Sequence, residues 1–133
     1  MLTKEYGDWG EKFACKYLRR QGYKILDRNY TNCIGEIDII AIETKKSRKK
    51  SGDYEKMPKI FQNEDVLCFI EVKSRKSVAY GNPSDAVDFN KQKKYLNISL
   101  EYMRKKKLNN FQYRYDIIEV YGSELLNHIK NAF

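Results

Sequence analysis

Four charged side chains stand where charge is expensive. Glu36 and Asp38 lie in the isoleucine-rich run GEIDIIAIE at residues 35–43, and Glu71 and Lys73 lie in VLCFIEVKSR at residues 66–75. Both runs read as strands, being rich in β-branched and apolar residues. Alternate side chains of a strand share a face. Glu36 and Asp38 are therefore expected to point one way and Ile37 and Ile39 the other. Glu71 and Lys73 should share a face with Leu67 and Phe69, opposite the stripe Val66, Cys68, Ile70 and Val72. Hairpin pairing of the two strands would bring Asp38, Glu71 and Lys73 together. Charges in such apolar strands are costly to bury unless they are paired or bind metal. Two converging carboxylates repel each other, and a hard divalent cation, Mg²⁺ or Mn²⁺, relieves that repulsion while leaving positions for water and phosphate oxygen. An ammonium two residues from a metal-binding carboxylate can hold an attacking water or stabilise charge that develops on a phosphate. The bland alternative is a structural ion pair on a half-exposed sheet, worth roughly a few tenths of a kcal/mol. Spacing alone leaves both readings open.

The elements that must position these residues are legible around them. Trp9, Phe13, Ala14, Tyr17 and Leu18 recur at helical spacing within residues 5–21, with Gly22 as the C-terminal stop, which predicts an amphipathic helix. Residues 23–30 predict a short strand, and Asn32 and Gly35 bracket its turn into the strand of residues 35–43. Residues 44–65 lose both periodicities, carry a basic run and contain Gly52 and Pro58, which predicts a solvated loop or a partly disordered insertion interrupting a hairpin. Beyond residue 75, Tyr80, Gly81, Asn82 and Pro83 predict a turn, and Ser84 is the expected N-cap of a long basic helix over residues 85–107. Lys91, Lys93, Lys94 and residues 104–107 crowd that helix's polar surface. A fourth strand over residues 113–121, parallel to its neighbour because a helix crosses over to it, and a short helix over residues 124–132 complete the chain. This order predicts an α/β sandwich with a central mixed sheet flanked by helices.

Composition sets the outer limits. A chain of 133 residues suits one domain, residues 1–133 with the basic insertion at about 44–65. No run approaches the roughly 20 apolar residues of a membrane span, and the first residues lack the apolar centre of a signal peptide, so a cytoplasmic protein is expected. Cys15, Cys33 and Cys68 are odd in number and far apart, which predicts buried free thiols rather than a disulfide framework or a metal knot. Twenty-six Lys and Arg against eighteen Asp and Glu give a net charge of +8. The insertion holds seven basic and four acidic residues, +3 of that total, so the basicity belongs to the whole domain. Such a field attracts polyanions, nucleic acid first and anionic membrane second, without specifying either.

The pattern Asp38, then Glu71-Val72-Lys73, resembles the PD-(D/E)xK nuclease core shared by restriction enzymes and archaeal Holliday junction resolvases. Gly10-Glu11, Ala14, Leu18, Gly22-Tyr23, Asn29, Gly35-Glu36-Ile37-Asp38, Glu71-Val72-Lys73, Gly81, Lys91, Arg114, Asp116 and Asn131-Ala132-Phe133 together resemble the UPF0102 (YraN-like) family over nearly the whole chain. That resemblance implies a restriction endonuclease-like fold and a metal-dependent DNA endonuclease, structure-selective toward branched DNA. It implies Asp38, Glu71, Lys73 and Glu11 as catalytic residues, with Asp38, Glu71, Glu11 and Glu36 toward metal. Glu36 reads equally as a cap on the entry of its strand. Lys91 and Gln92 match a family position facing the site or the DNA backbone, and Lys94 and Arg75 are further candidates for phosphate contact. A homodimer is implied by analogy with resolvases. The loop between Glu43 and Val66 is longer and more basic than the family pattern, either as an arm over DNA phosphates or as a solvated insertion. A DNA-binding module without catalysis, working beside DNA-processing partners, is the competing function, and a protein-interaction domain is a third. Asp116 is expected to pair with Arg114 or a neighbouring strand, and His128 to sit at the surface or core edge without chemistry. Tyr102, Tyr113, Tyr115 and Tyr121 read as core or as platforms for unpaired bases.

Overall fold

A computed structural model of the chain describes residues 3–75, 88–122 and 124–133. Helix α1 (Thr3–Arg20) leads into strands β1 (Lys24–Thr31) and β2 (Glu36–Glu43). Helix α2 (Lys45–Ser51) and a 3₁₀ turn (Tyr54–Lys56) follow, then β3 (Val66–Arg75), helix α3 (Phe89–Lys105), β4 (Gln112–Tyr121) and β5 (Glu124–Ile129). The strands form one sheet in the order β1-β2-β3-β4-β5. Only the β3–β4 pair is parallel, with Val66 opposite Gln112 and Arg75 opposite Tyr121, as the α3 crossover requires.

Two apolar layers sandwich the sheet. Ala14, Cys15 and Leu18 of α1 pack on Ile39, Ala41, Cys68, Ile70 and Ile118. On the other side Tyr95, Ile98, Tyr102 and Met103 of α3 pack on Ile37, Ile40, Leu67 and Phe69. The β3 alternation is as its sequence predicts. In β2 it is not, because Ile37 belongs to the α3 layer and Ile39 to the α1 layer. The β2–β3 ladder ends at the Ile39–Ile70 pair. Beyond it the backbone N–H of Val72 donates to the carboxylate Oδ2 of Asp38 at 2.8 Å. A side chain replaces the ladder there, and the strands part.

Helix α1 stops in a Schellman motif: Tyr23 N–H donates to Leu18 O at 2.9 Å and Gly22 N–H to Arg19 O at 3.0 Å, with Gly22 at φ 89°. The expected N-cap Ser84 and the turn at Tyr80, Gly81, Asn82 and Pro83 lie outside the described residues. Within them α3 starts at Phe89, with Asp88 accepting from Lys91 N–H at 2.9 Å.

Residues 44–65 are not a solvated loop throughout. Thr44 and Ser47 form a reciprocal capping box for α2, Gly52 closes it at φ 84°, and Thr44 Oγ1 donates to Gly22 O at 3.0 Å. Arg48, in the middle of the basic run, is fully buried. The expected terminal helix over residues 124–132 is strand β5, antiparallel to β4 with Tyr121 opposite Glu124. Leu125, Leu126 and Ile129 have helical spacing, but the Gly-Ser pair before them is hairpin chemistry, and Gly122 adopts φ 57°. Cys15 and Cys68 are buried free thiols, whereas Cys33 is exposed. Among the described residues no helix is long and apolar enough to cross a membrane.

Candidate functional site

Three elements deliver carboxylates to one end of the sheet. Glu11 comes from α1, three residues before Ala14 and seven before Leu18, at the border of the helix's buried stripe. Gly10 lets that helix approach β3 closely, since a Cβ at this position would lie 3.3 Å from Ser74 Cβ. Glu36 and Asp38 come from β2. One carboxylate oxygen from each of Glu11, Glu36 and Asp38 lies within 4.8 Å of the others. Asn29, at φ 52° on β1, braces the trio: with its amide turned to donate, Nδ2 is 2.8 Å from Glu11 Oε2 and 3.1 Å from Glu36 Oε1.

The electrostatics are those of an undercompensated cluster. Burial, then the charges of Glu71, Glu11 and Glu36, push Asp38 up to about 8, against the lowering effect of the Val72 hydrogen bond. Burial and Glu36 also raise Glu11, partly offset by Asp38, Arg28 and Asn29. Such a set suits a hard divalent cation, which would take three acidic oxygen donors and remove their mutual repulsion.

Glu71 is close to this trio electrostatically but is held differently. Its Oε1 accepts from Lys91 Nζ and lies 3.1 Å from Lys73 Nζ, and its Oε2 accepts from Tyr95 Oη. Burial would raise Glu71, yet these hydrogen bonds and the charges of Lys91 and Lys73 hold it below the usual range. Lys91 is raised by its bond to Glu71, which outweighs its own burial. The structure therefore brings Asp38, Glu71, Lys73, Glu11 and Glu36 into one neighbourhood, with Glu71 outside the convergent trio of oxygens. Lys91 faces Glu71. Lys94 is exposed and lines a cleft of about 340 Å³ with Glu36, Asp88, Lys91 and Tyr95. Arg75 pairs with Glu119 at 3.2 Å, and Gln92 is half-buried.

Sequence reasoning missed Tyr95 and gave Asn29, a residue of the family pattern, no role. Tyr95 stands four residues after Lys91 and so on the same helical face, which is the signal that could have found it. Asn29 is a non-glycine residue in the left-handed region, a conformation that asparagine tolerates better than most residues.

A second ionic cluster occupies the opposite end of β2. Glu43 Oε2 accepts from Tyr23 Oη at 2.9 Å and pairs with Arg114 at 2.7 Å and Lys130 at 3.2 Å, while Oε1 pairs with Arg48 at 3.1 Å. Arg114 also binds Asp116 at 2.9 Å, the expected pairing. His128 sits at the core edge, one of the two expected places, but is not idle: Nε2 lies 2.9 Å from Asp116 Oδ2 and Nδ1 2.9 Å from Tyr17 Oη. Asp116 also accepts Asn131 N–H at 3.0 Å, and Phe133 stacks on Tyr115 at 5.2 Å, so this network anchors the C-terminal residues.

A mixed five-stranded sheet between α1 and α3, with acidic residues gathered where β2 and β3 part, defines an α/β domain consistent with the restriction endonuclease-like fold. The family model described as Uncharacterised protein family UPF0102 matches residues 10–120. A UPF0102 protein of Clostridioides difficile strain 630 is 45% identical over 134 residues, covering 100% of both chains. A UPF0102 protein of Caldanaerobacter subterraneus subsp. tengcongensis is 42% identical, covering 98% of this chain and 95% of the relative. The chain belongs to the UPF0102 family.

Proposed function

We propose that this protein is a metal-dependent DNA endonuclease whose centre is built from Glu11, Glu36, Asp38, Glu71 and Lys73. The observation that carries the reading is the convergence of three carboxylate oxygens within 4.8 Å of one another, beside a lysine paired with a fourth carboxylate. Glu11, Glu36 and Asp38 would hold Mg²⁺ or Mn²⁺, which when bound supplies Lewis acidity toward a phosphoryl oxygen and a more acidic water. Asp38, raised to about 8 by burial and its acidic neighbours, would be held in its ionised form by a bound cation. Lys73, carried by the same strand face as Glu71, orients the water and stabilises charge developing on the phosphate. Lys91 and Tyr95 fix Glu71, and Lys94 borders the adjoining cleft as a contact for flanking phosphates. The overall charge of +8 favours phosphate contacts and strong salt dependence.

The test is cleavage of labelled linear, single-stranded, flap and four-way-junction DNA with Mg²⁺ or Mn²⁺ by wild type, Lys73→Ala and Asp38→Ala. Metal-dependent cutting by wild type that both variants lose supports the reading and names the DNA structure preferred. One observation favours the second reading, a DNA-binding module without catalysis: Lys91 already neutralises Glu71. Salt-sensitive binding retained by both variants, with no cutting under any metal, would leave that reading standing.

A further inference from the structure

Outside the acidic centre, α1 presents a surface that the proposed chemistry does not use. Trp9, Phe13 and Lys16, with Lys12 and Arg19, follow one another at three- and four-residue spacing along the helix. Arg28 of β1 faces them across a cleft of about 370 Å³ floored by Cys15. That volume lies within the roughly 300–1,000 Å³ of ligand sites. Trp9 and Phe13 stack on each other, with ring centroids 5.6 Å apart and planes 24° apart. Both are half-buried, packed against the α1 core layer, and both line the cleft. Lys12, Lys16, Arg19 and Arg28 are exposed, and among the described residues no carboxylate lines the cleft.

We propose that this cleft binds an unpaired stretch of nucleic acid, with a base against the Trp9–Phe13 pair and the flanking phosphates against Lys12, Lys16, Arg19 and Arg28. Cations alone would suit any polyanion, and rings alone any apolar partner. Their interleaving matches a single strand, whose bases and phosphates are accessible together, whereas a duplex hides its base faces. The cleft also touches the acidic centre. Lys12 follows Glu11 in sequence, and Arg28 acts electrostatically on Glu11 and precedes Asn29, the brace of the trio. A strand lying here would reach the acidic residues from the α1 side. That part rests on the nuclease reading; the binding itself does not.

Trp9 is the only tryptophan in the chain, so its emission reports on this cleft alone. The experiment titrates metal-free protein with short oligo(dT), with an abasic strand of equal length, with a duplex and with heparin, following Trp9 emission and, for the labelled strands, anisotropy. Oligo(dT) is expected to quench Trp9 to saturation and to bind about tenfold more tightly than the abasic strand, the effect of one stacked base. Arg28→Ala and Lys16→Ala, exposed positions that leave the core intact, are expected to weaken that binding and to lower its salt dependence. Equal affinity for the abasic strand, equal quenching by heparin or duplex, or DNA binding that leaves Trp9 emission unchanged would overturn the proposal. Quenching by oligo(dT) without cleavage under any metal would sink the nuclease reading and keep the cleft. Metal-dependent cleavage without Trp9 quenching would do the reverse.

Discussion

The two ends of β2 both bury carboxylates, and they treat them in opposite ways. Near Glu43 and Asp116, Arg48, Arg114, Lys130 and His128 surround two carboxylates, with Tyr23 and a backbone N–H as further donors. Against the cost of burial, the hydrogen bond and charge of Arg114, then Lys130 and Tyr23, lower Glu43 to about 2. Asp116 is lowered too, by His128 and Arg114 in spite of its burial. Near Asp38 three carboxylates converge with one amide between two of them, and burial with Glu71 lifts Asp38 to about 8. One end is a finished ionic structure. The other is left unfinished in charge, the condition expected of a site completed by a cation.

The sharpest way to break this contrast is to unpair the finished end. Arg114→Ala removes a partner from Glu43 and Asp116 at once, and both are nearly inaccessible to water. Denaturant unfolding should show a loss of about 3–5 kcal/mol, the cost of stranding buried charge. A loss below about 1 kcal/mol would mean that the network is no more than surface pairing.

At the other end removal of charge should help. The folded state holds the Asp38 proton up to about pH 8, while the unfolded chain releases it near 3.8. Stability therefore falls as pH rises between those values. Glu43 has the opposite sign: its contribution is complete above its unfolded value of 4.5 and is lost as pH falls toward 2. Metal-free protein is expected to be most stable near pH 4, roughly where the two slopes meet. Asp38→Asn keeps an acceptor for Val72 N–H and should be more stable than wild type at pH 8 by on the order of 2 kcal/mol, with no difference near pH 4. Thermal melts across that range check this, and identical profiles for the two proteins would overturn it. Mn²⁺ should stabilise wild type more at pH 8 than at pH 5, because binding and deprotonation are linked.

Tyr95→Phe tests the positively held member of the site. It deletes one hydrogen bond to a buried carboxylate whose other oxygen keeps Lys91 and Lys73. A loss of about 1.5 kcal/mol is expected in denaturant unfolding. The same variant should raise the Glu71 titration point when followed by carboxyl NMR, since a donor to the ionised form is gone. An unmoved titration would show that the lysines alone hold Glu71.

What was legible in the sequence follows the same divide. The strands carrying Asp38 and Glu71 were plain from β-branched runs, and the parallel β3–β4 pair followed from the crossover. The acidic residues were visible because charge in such runs is anomalous. The finished network was not. Arg48 lies in a lysine-rich stretch that reads as solvated, and its burial depends on Glu43 together with the carbonyls of Gln62 and Glu64, contacts that only the tertiary fold creates. The element holding His128 was misassigned, because a short run holding Leu125, Leu126 and Ile129 fits helix and strand alike. The exclusion of Glu71 from the trio had no local signal either, since it depends on Lys91 and Tyr95 from a helix about twenty residues further on.

The smallest expected effect on stability carries a separate readout on the site. Gly10→Ala gains helix propensity, about 1 kcal/mol, but its Cβ crowds Ser74 on β3. Overpacking costs typically 1–3 kcal/mol, so the net loss should be about 1 kcal/mol, within a range of about 0–2 kcal/mol. The strain can be relieved by lifting α1 from the sheet, and Glu11 is the next residue. Mn²⁺ affinity, measured calorimetrically, should then fall about tenfold, the equivalent of 1.4 kcal/mol, although no carboxylate has been removed. A fall matching that of Glu11→Gln would place Glu11 in the metal set and show that the approach of α1 at Gly10 positions it. Unchanged affinity in both variants would remove Glu11 from the set and leave the unfinished end to Glu36 and Asp38.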